Sequence, residues 1–152
     1  MELVVVLAIM SMLLGLSAAY FFSFKSGAAL KIAAQDIVAA LNQARSLAIT
    51  TRDYHGVAFD DAQSEYFIFK KPDDATREIV SIHFKTKNGI IIESTTFDPD
   101  SHGAINKPTA LFNPTGSGKG GSIFLKNAKG RYNTITVVSA TGRVRVFNYK
   151  KE

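Results

Sequence analysis

The feature that most constrains this chain is an uncharged apolar segment, Leu3–Phe24, which directly follows the acidic residue Glu2. As a helix rising about 1.5 Å per residue, the segment is roughly 33 Å long, and the hydrocarbon core of a bilayer is about 30 Å thick. A cleaved signal peptide differs, because it has a basic start, a shorter apolar stretch and a small-residue cleavage site. The segment therefore predicts a transmembrane helix rather than a leader.

Glu2 is the acidic residue at the edge of this helix, and two interpretations fit it. The free amides and positive dipole end of a helix N-terminus stabilise a carboxylate at the membrane surface. Alternatively, Glu2 pairs with a cation of a neighbouring chain when the helix leaves the lipid. A buried unpaired charge costs several kcal/mol, so such pairing would fix the register between subunits.

The helical pattern continues beyond Lys25 to about Thr51. Apolar residues recur there at steps of three and four, which predicts one buried stripe: Leu30, Ala34, Ile37, Val38, Leu41, Ala44 and Ala48. A helix from Glu2 to Thr51 would be roughly 75 Å long. A compact domain does not need that length, whereas a filament core does. We divide the chain into a transmembrane and assembly half (1–25), an amphipathic half that packs on the head (26–52) and a β-rich head (53–152).

Beyond Arg52 the pattern is typical of strands, with runs rich in Val, Ile, Phe, Tyr and Thr between turn residues. The predicted strands are Gly56–Asp60, Ser64–Lys70, Ile79–Thr86, Gly89–Ser94, Ser122–Lys126, Thr134–Ser139 and Arg143–Tyr149. Asn88-Gly89 indicates a hairpin, because that dipeptide suits a type I′ turn. The segment from Phe97 to Gly121 is rich in Pro, Gly and Ser and is expected to be irregular. The predicted fold class is α+β, with antiparallel strands against the second half of the helix.

Motifs that would indicate an enzyme or a cofactor are incomplete. The chain has no cysteine, which excludes disulfides and thiolate chemistry. Thr115–Gly121 resembles a phosphate-binding loop, but Asn113 and Gly120 occupy positions that the motif needs as Gly and Ser or Thr. The three histidines lack metal-ligand spacing, and the Asp98, Asp100 and Ser101 segment lacks the glycine and glutamate of a calcium loop. We expect a flexible turn at Thr115–Gly121, no cofactor, no metal and no enzymatic activity.

The N-terminal sequence MELVVVLAIMSMLLGL resembles the mature N-terminus of type IV pilins and pseudopilins, in which a glutamate opens a long apolar helix. The resemblance implies processing by a prepilin peptidase, which removes a leader and methylates the new N-terminus. It also implies residence in the bacterial inner membrane with the head in the periplasm, followed by assembly with other pilin-like subunits into a filament. Glu2 would then be the assembly residue.

Three further segments resemble the GspH/FimT branch of that family: ALNQARSLAITTR, LFNPTGSGKGGSIFLKN and TITVVSATGRVRVF. This resemblance implies a structural subunit of a type IV pilus or a related filament. Two alternatives stay open, namely a minor pseudopilin of a type II secretion system and a DNA-binding minor pilin for DNA uptake. Some FimT-type members carry a C-terminal Gly-Arg-x-Arg motif, and Gly142–Arg145 matches it.

The two arginines of this motif lie on one face of a strand, about 6.5–7 Å apart, which is close to the spacing of successive phosphates. Lys150 and Lys151 extend the charge, and Phe147 or Tyr149 could stack on a base. The candidate DNA-binding residues are therefore Arg143, Arg145, Lys150 and Lys151. The alternative is an edge strand whose solvated arginines discourage aggregation between sheets.

Overall fold

The computed structural model describes residues 2–71, 76–81, 83–99 and 105–150, and within the helix it describes all side chains except those of 16–26. Helix α1, Glu2–Thr51, has 50 residues, as the periodicity predicts. It ends where Arg52 adopts φ of 58°, the left-handed conformation that commonly follows a helix. The predicted stripe is confirmed: Ile37, Leu41 and Ala44 are fully buried.

Strands of the described chain form two antiparallel sheets. The strands are β1 (Tyr54–Asp60), β2 (Glu65–Lys71), β3 (Glu78–Ile79), β4 (Phe84–Lys85), β5 (Ile91–Thr95), β6 (Thr109–Phe112), β7 (Gly121–Lys126), β8 (Tyr132–Val138) and β9 (Arg143–Phe147). Sheet A has the order β3-β2-β1-β6, with β4 also paired to β2, and sheet B has the order β5-β7-β8-β9. An N-terminal helix on antiparallel sheets confirms the α+β prediction.

One apolar core joins the second half of α1 to both sheets. Ile37 and Leu41 of the helix meet Phe59 of sheet A and Ile123 and Ile135 of sheet B in the same cluster. A smaller cluster covers the other face of sheet A and contains Ala58, Phe67, Phe69 and Ile105. Because β1 is buried on both faces, its residues between the ends are all buried, which is why its sequence lacks a simple alternation.

Two strand predictions are wrong in detail. Ile79–Thr86, expected as one strand, contains the end of β3 and the whole of β4, and these two short strands pair with different ends of β2. The segment expected to be irregular contains β6, whose Thr109, Ala110 and Phe112 are buried beside β1. Pairing with a central strand stabilises β6, although prolines and glycines surround it.

The turn at Asn88-Gly89 has the predicted geometry but not the predicted role. Asn88 and Gly89 have φ of 59° and 70°, as a type I′ turn requires, and the Ile90 amide donates to the Lys87 carbonyl at 3.2 Å. However, β4 before the turn pairs in sheet A, and β5 after it pairs in sheet B. The turn therefore connects the two sheets and closes no hairpin.

Candidate functional site

The first part of α1 exposes a continuous apolar surface. Its large side chains from Leu3 to Leu14 are at least half exposed, and Leu3 and Leu14 reach 73% and 72%. Glu2 is exposed in the first turn of the same helix. Within the described residues, no helix combines the length and the hydropathy needed to span a bilayer. An apolar surface of this extent marks a region that another molecule covers.

The arginines of the Gly-Arg-x-Arg motif lie on β9, the edge strand of sheet B. Arg143 is opposite Val138 and Arg145 is opposite Thr136. Both are exposed, whereas Val144 between them packs against the core. The two guanidinium groups therefore share the solvent face, as predicted. In the part of the chain that the structure describes, neither group is paired with an acid.

Lys150 lies in a different environment from these arginines. Its Nζ donates to Glu93 Oε2 at 3.1 Å and lies 5.1 Å from the centroid of the Tyr132 ring. Glu93 Oε1 accepts from the Tyr132 hydroxyl at 2.7 Å and from Lys126 Nζ at 2.9 Å. These donors, the Tyr132 hydroxyl first, lower the pKa of Glu93 to about 2. The Lys150 charge is thus already compensated, while Lys151 lies outside the described residues.

Arg45 joins the helix to two glycine-containing turns. Arg45 Nε donates to the Gly116 carbonyl at 2.9 Å. A Cβ added to Gly142 would lie only 2.2 Å from the same Gly116 oxygen and 3.1 Å from Arg45 Nε. Gly142 directly precedes β9, so this contact between Arg45, Gly116 and Gly142 lies at the start of the strand.

The predicted turn around Thr115–Gly121 begins with a set of local hydrogen bonds. The Asn113 amide donates to the Ser117 carbonyl and the Gly116 amide to the Asn113 carbonyl, each at 2.9 Å. Asn113 Nδ2 also donates to Ser117 Oγ at 2.7 Å. The turn links β6 to β7, which is not the strand-loop-helix context of a phosphate-binding loop.

Metal-ligating side chains do not cluster among the described residues. His55 is buried, whereas His83 stacks on the Phe67 ring with centroids 4.4 Å apart. His102 and the Asp100 and Ser101 part of the calcium-like segment lie outside the described residues.

A groove of about 590 Å³ runs between α1 and the segment around β4. Small helix residues such as Ala33 and Ala40 line one side, and Phe84 and Lys87 line the other. Tyr66 also lines it, and burial and then the Asp36 charge raise the pKa of Tyr66 to about 12. The tyrosine is therefore a neutral hydrogen-bonding group at physiological pH.

The profile of one protein family, described as type II transport protein GspH, matches residues 33–142. That match covers most of the chain. The chain belongs to the GspH family. The matched residues include the buried stripe of α1 from Ala34 onward, sheet A and all strands of sheet B except β9. They also include Arg45, Gly116 and Gly142, which together form the Arg45 junction. A comparison with curated protein sequences found no significant match.

Solved structures share the fold of this GspH-family chain. The minor pseudopilin EpsH from the type 2 secretion system of Vibrio cholerae is 14% identical, with a TM-score of 0.64, and the alignment covers 78% of this chain and 96% of EpsH. Escherichia coli GspH is 18% identical, with a TM-score of 0.64 and coverage of 82% and 91%. The type IV minor pilin FimU of Pseudomonas aeruginosa is 14% identical, with a TM-score of 0.56 and coverage of 78% and 92%. Family and fold together identify a pilin-like structural subunit.

Two features of this GspH-family chain leave little signal in its sequence. Glu93 lies where the pairing of β5 with β7 shifts register. Such a bulge changes the direction of a side chain, so the alternation of apolar and polar residues does not predict which face Glu93 occupies. Arg45 lies within a helical motif, yet its partner Gly116 is 71 residues away. The three segments that resemble the GspH/FimT branch carry Arg45, Gly116 and Gly142, so the junction gives a physical reason for their composition.

Proposed function

We propose that this GspH-family chain is a minor pilin-like subunit, anchored in the inner membrane by the first half of α1 and assembled into a filament through the same helix. The observation that carries the proposal is the exposed apolar surface of α1 from Leu3 to Leu14. Lipid covers such a surface before assembly, and the helices of neighbouring subunits cover it afterwards. The uncharged sequence from Leu3 to Phe24 supports the membrane step.

Glu2 is the residue that guides assembly in this proposal. Lipid headgroups and water solvate its carboxylate before assembly, whereas inside a filament of apolar helices it needs a cation from a neighbouring subunit. We expect Glu2→Gln to remain in the membrane fraction and to enter filaments poorly. Asp36→Asn is the matched control, because Asp36 is an exposed acid on the half of α1 that packs against the head.

Membrane fractionation and quantification of the subunit in sheared filaments test this prediction. Normal incorporation of the Glu2→Gln variant into filaments would show that Glu2 does not guide assembly. Loss of the variant from the membrane fraction would assign Glu2 to insertion instead.

A type II secretion pseudopilus is the form of filament that the family description favours, and a type IV pilus is the alternative. EpsH and FimU, which share the fold, come from these two systems respectively. Affinity purification of the tagged chain from its own cells distinguishes a secretion pseudopilus from a type IV pilus. Recovery of secretion pseudopilins supports the first, and recovery of pilus subunits supports the second.

DNA binding through β9 is a second candidate function, favoured by the placement of Arg143 and Arg145. Both guanidinium groups are exposed on one face of an edge strand. We expect the detergent-solubilised chain to retard DNA in a gel. Arg143→Gln/Arg145→Gln should reduce the slope of binding against salt by about two, one for each phosphate that the variant no longer neutralises. Lys87→Gln/Lys129→Gln is the control, since it removes the same charge away from β9. Equal binding by both variants would exclude the motif as the DNA site.

A further inference from the structure

The base of the head, meaning the end nearest to Gly27 of α1, gathers basic side chains from separate turns. The turn after β7 carries Lys129 and Arg131, both exposed. A Cβ added to Gly27 would lie 3.6 Å from Arg131 Nη1, so this turn reaches the helix just after its uncharged segment ends. Ile91 at the start of β5 pairs with Lys126 at the end of β7. The turn before β5, which contains exposed Lys87, therefore lies at the same end of sheet B.

We name Lys87, Lys129 and Arg131 the basal cations. In the described part of the chain, no acid is paired with any of them. Glu93 at this end is occupied by Lys126 and Lys150. Lys31 adds a further exposed charge one helical turn beyond Gly27, on the same helix face. The base thus brings together like charges that the head itself does not neutralise.

The height of the basal cations above the apolar segment follows from the geometry of the helix. Gly27 is three residues beyond Phe24, which corresponds to about 4.5 Å along α1. The headgroup layer on each side of a bilayer core is roughly 5–8 Å thick. If α1 is anchored as proposed, Arg131 therefore lies at the level of the headgroups. The other basal cations belong to turns at the same end of the head.

Exposed apolar and aromatic residues accompany these cations. Ile91 is 48% exposed and Tyr149 is 55% exposed. Tyr149 follows β9 at the base, because the Thr134 hydroxyl near the start of β8 donates to its carbonyl at 2.6 Å. Tyrosine beside basic residues is the composition that proteins place at a membrane interface.

We propose that the basal cations bind the headgroups of anionic phospholipids and hold the head against the membrane before assembly. This inference rests on the proposed membrane anchoring of α1. Anionic lipid is the partner that fits, because the basal cations are positive and, in the described chain, unpaired. They also lie level with the headgroups, so their distance from the lipid charges is shorter than the Debye length of about 8–10 Å and salt does not screen the attraction. One basic side chain near an anionic membrane surface increases the association constant of a protein with that membrane by about fivefold.

The test uses the full chain reconstituted into phosphatidylcholine vesicles with a minor fraction of phosphatidylglycerol. Electron paramagnetic resonance then compares how strongly spin-labelled phosphatidylglycerol and spin-labelled phosphatidylcholine associate with the protein. We expect a preference for phosphatidylglycerol of about fivefold or more at low salt, the effect of one basic side chain or more. The preference should approach unity at high salt.

Lys87→Gln/Lys129→Gln/Arg131→Gln should lose this preference. Arg52→Gln/Arg143→Gln/Arg145→Gln is the matched control, because it also lowers the formal charge from +5 by three but leaves the basal cations in place. The control should keep the preference. Equal preferences in the two variants would overturn the lipid site.

Two further results separate this inference from the proposed function. If the chain floats with the vesicles but shows no preference for phosphatidylglycerol, anchoring stands and the lipid site is wrong. If the chain does not float with vesicles at all, anchoring and the lipid site both fail. A basal variant that keeps the lipid preference but no longer enters filaments would assign these cations to a neighbouring subunit and would also overturn the proposal.

Discussion

Gly142 is the residue whose replacement tests the Arg45 junction most directly. It adopts φ of 60°, and a Cβ added there would lie 2.2 Å from the Gly116 carbonyl oxygen. That distance is far below any normal contact, so the turn that contains Gly116 must move in Gly142→Ala. Movement of the Gly116 carbonyl breaks its hydrogen bond with Arg45. We expect the variant to fold with a markedly less stable head.

The expected loss of stability has two parts. The left-handed conformation costs alanine about 1–2 kcal/mol relative to glycine. Loss of a hydrogen bond to a charged donor costs about 1.5–3 kcal/mol. The sum of about 2.5–5 kcal/mol is a large part of the roughly 5–15 kcal/mol by which domains are stable.

Gly130→Ala is the matched control, because it separates the two parts. Gly130 adopts φ of 74°, and no described atom lies within 4 Å of its added Cβ. Urea unfolding of the detergent-solubilised chain, followed by circular dichroism, should therefore give a lower midpoint for Gly142→Ala than for Gly130→Ala. The hydrogen-bond part of about 1.5–3 kcal/mol, divided by an m-value of about 1–3 kcal/mol/M, corresponds to a difference of about 0.5–3 M. Coincident midpoints would show that the close approach of Gly142 to Gly116 has no effect on stability.

Two further predictions concern single polar groups. Arg45→Met keeps the aliphatic part of the side chain but removes the donor to Gly116, so we expect a loss of about 1.5–3 kcal/mol in the same urea assay; an unchanged midpoint would contradict the junction. The pKa of Glu93 is lowered from 4.5 to about 2. The ionised Glu93 side chain therefore stabilises the folded head fully above about pH 4.5, and this effect disappears as the pH falls towards 2. Glu93→Gln should therefore be less stable than the native chain at neutral pH, with a difference that shrinks between these values; a difference independent of pH would contradict the ionised cluster.

Periodicity predicted the helix well, because each buried position of α1 faces one continuous core. Leu30, Ala34 and Leu41 are spaced as a 3.6-residue helix requires and are buried. Alternation predicted the start of β9, where Arg143 and Arg145 are exposed and Val144 between them packs against the core. The prediction failed for β6, because pairing with β1 depends on tertiary structure that local composition does not contain.

The candidate DNA surface could also be predicted only in part from the sequence. Alternation was enough to place Arg143 and Arg145 on one exposed face. It could not show that Lys150 meets Glu93, because these residues are 57 positions apart and Glu93 lies at a shift in register. Contacts of this kind depend on how β5, β7 and the end of the chain come together, which only the folded structure specifies.

The Arg45 junction also determines how the head responds to mechanical force along α1. Sheet A follows the helix directly, through the short link from Thr51 to Tyr54, so tension on the helix reaches it through covalent bonds. Sheet B receives the same tension through apolar packing and through Arg45, which holds the turn beside Gly142. Under load along the helix, these noncovalent contacts keep sheet B against α1, and the guanidinium of Arg45 is a polar contact that resists their separation.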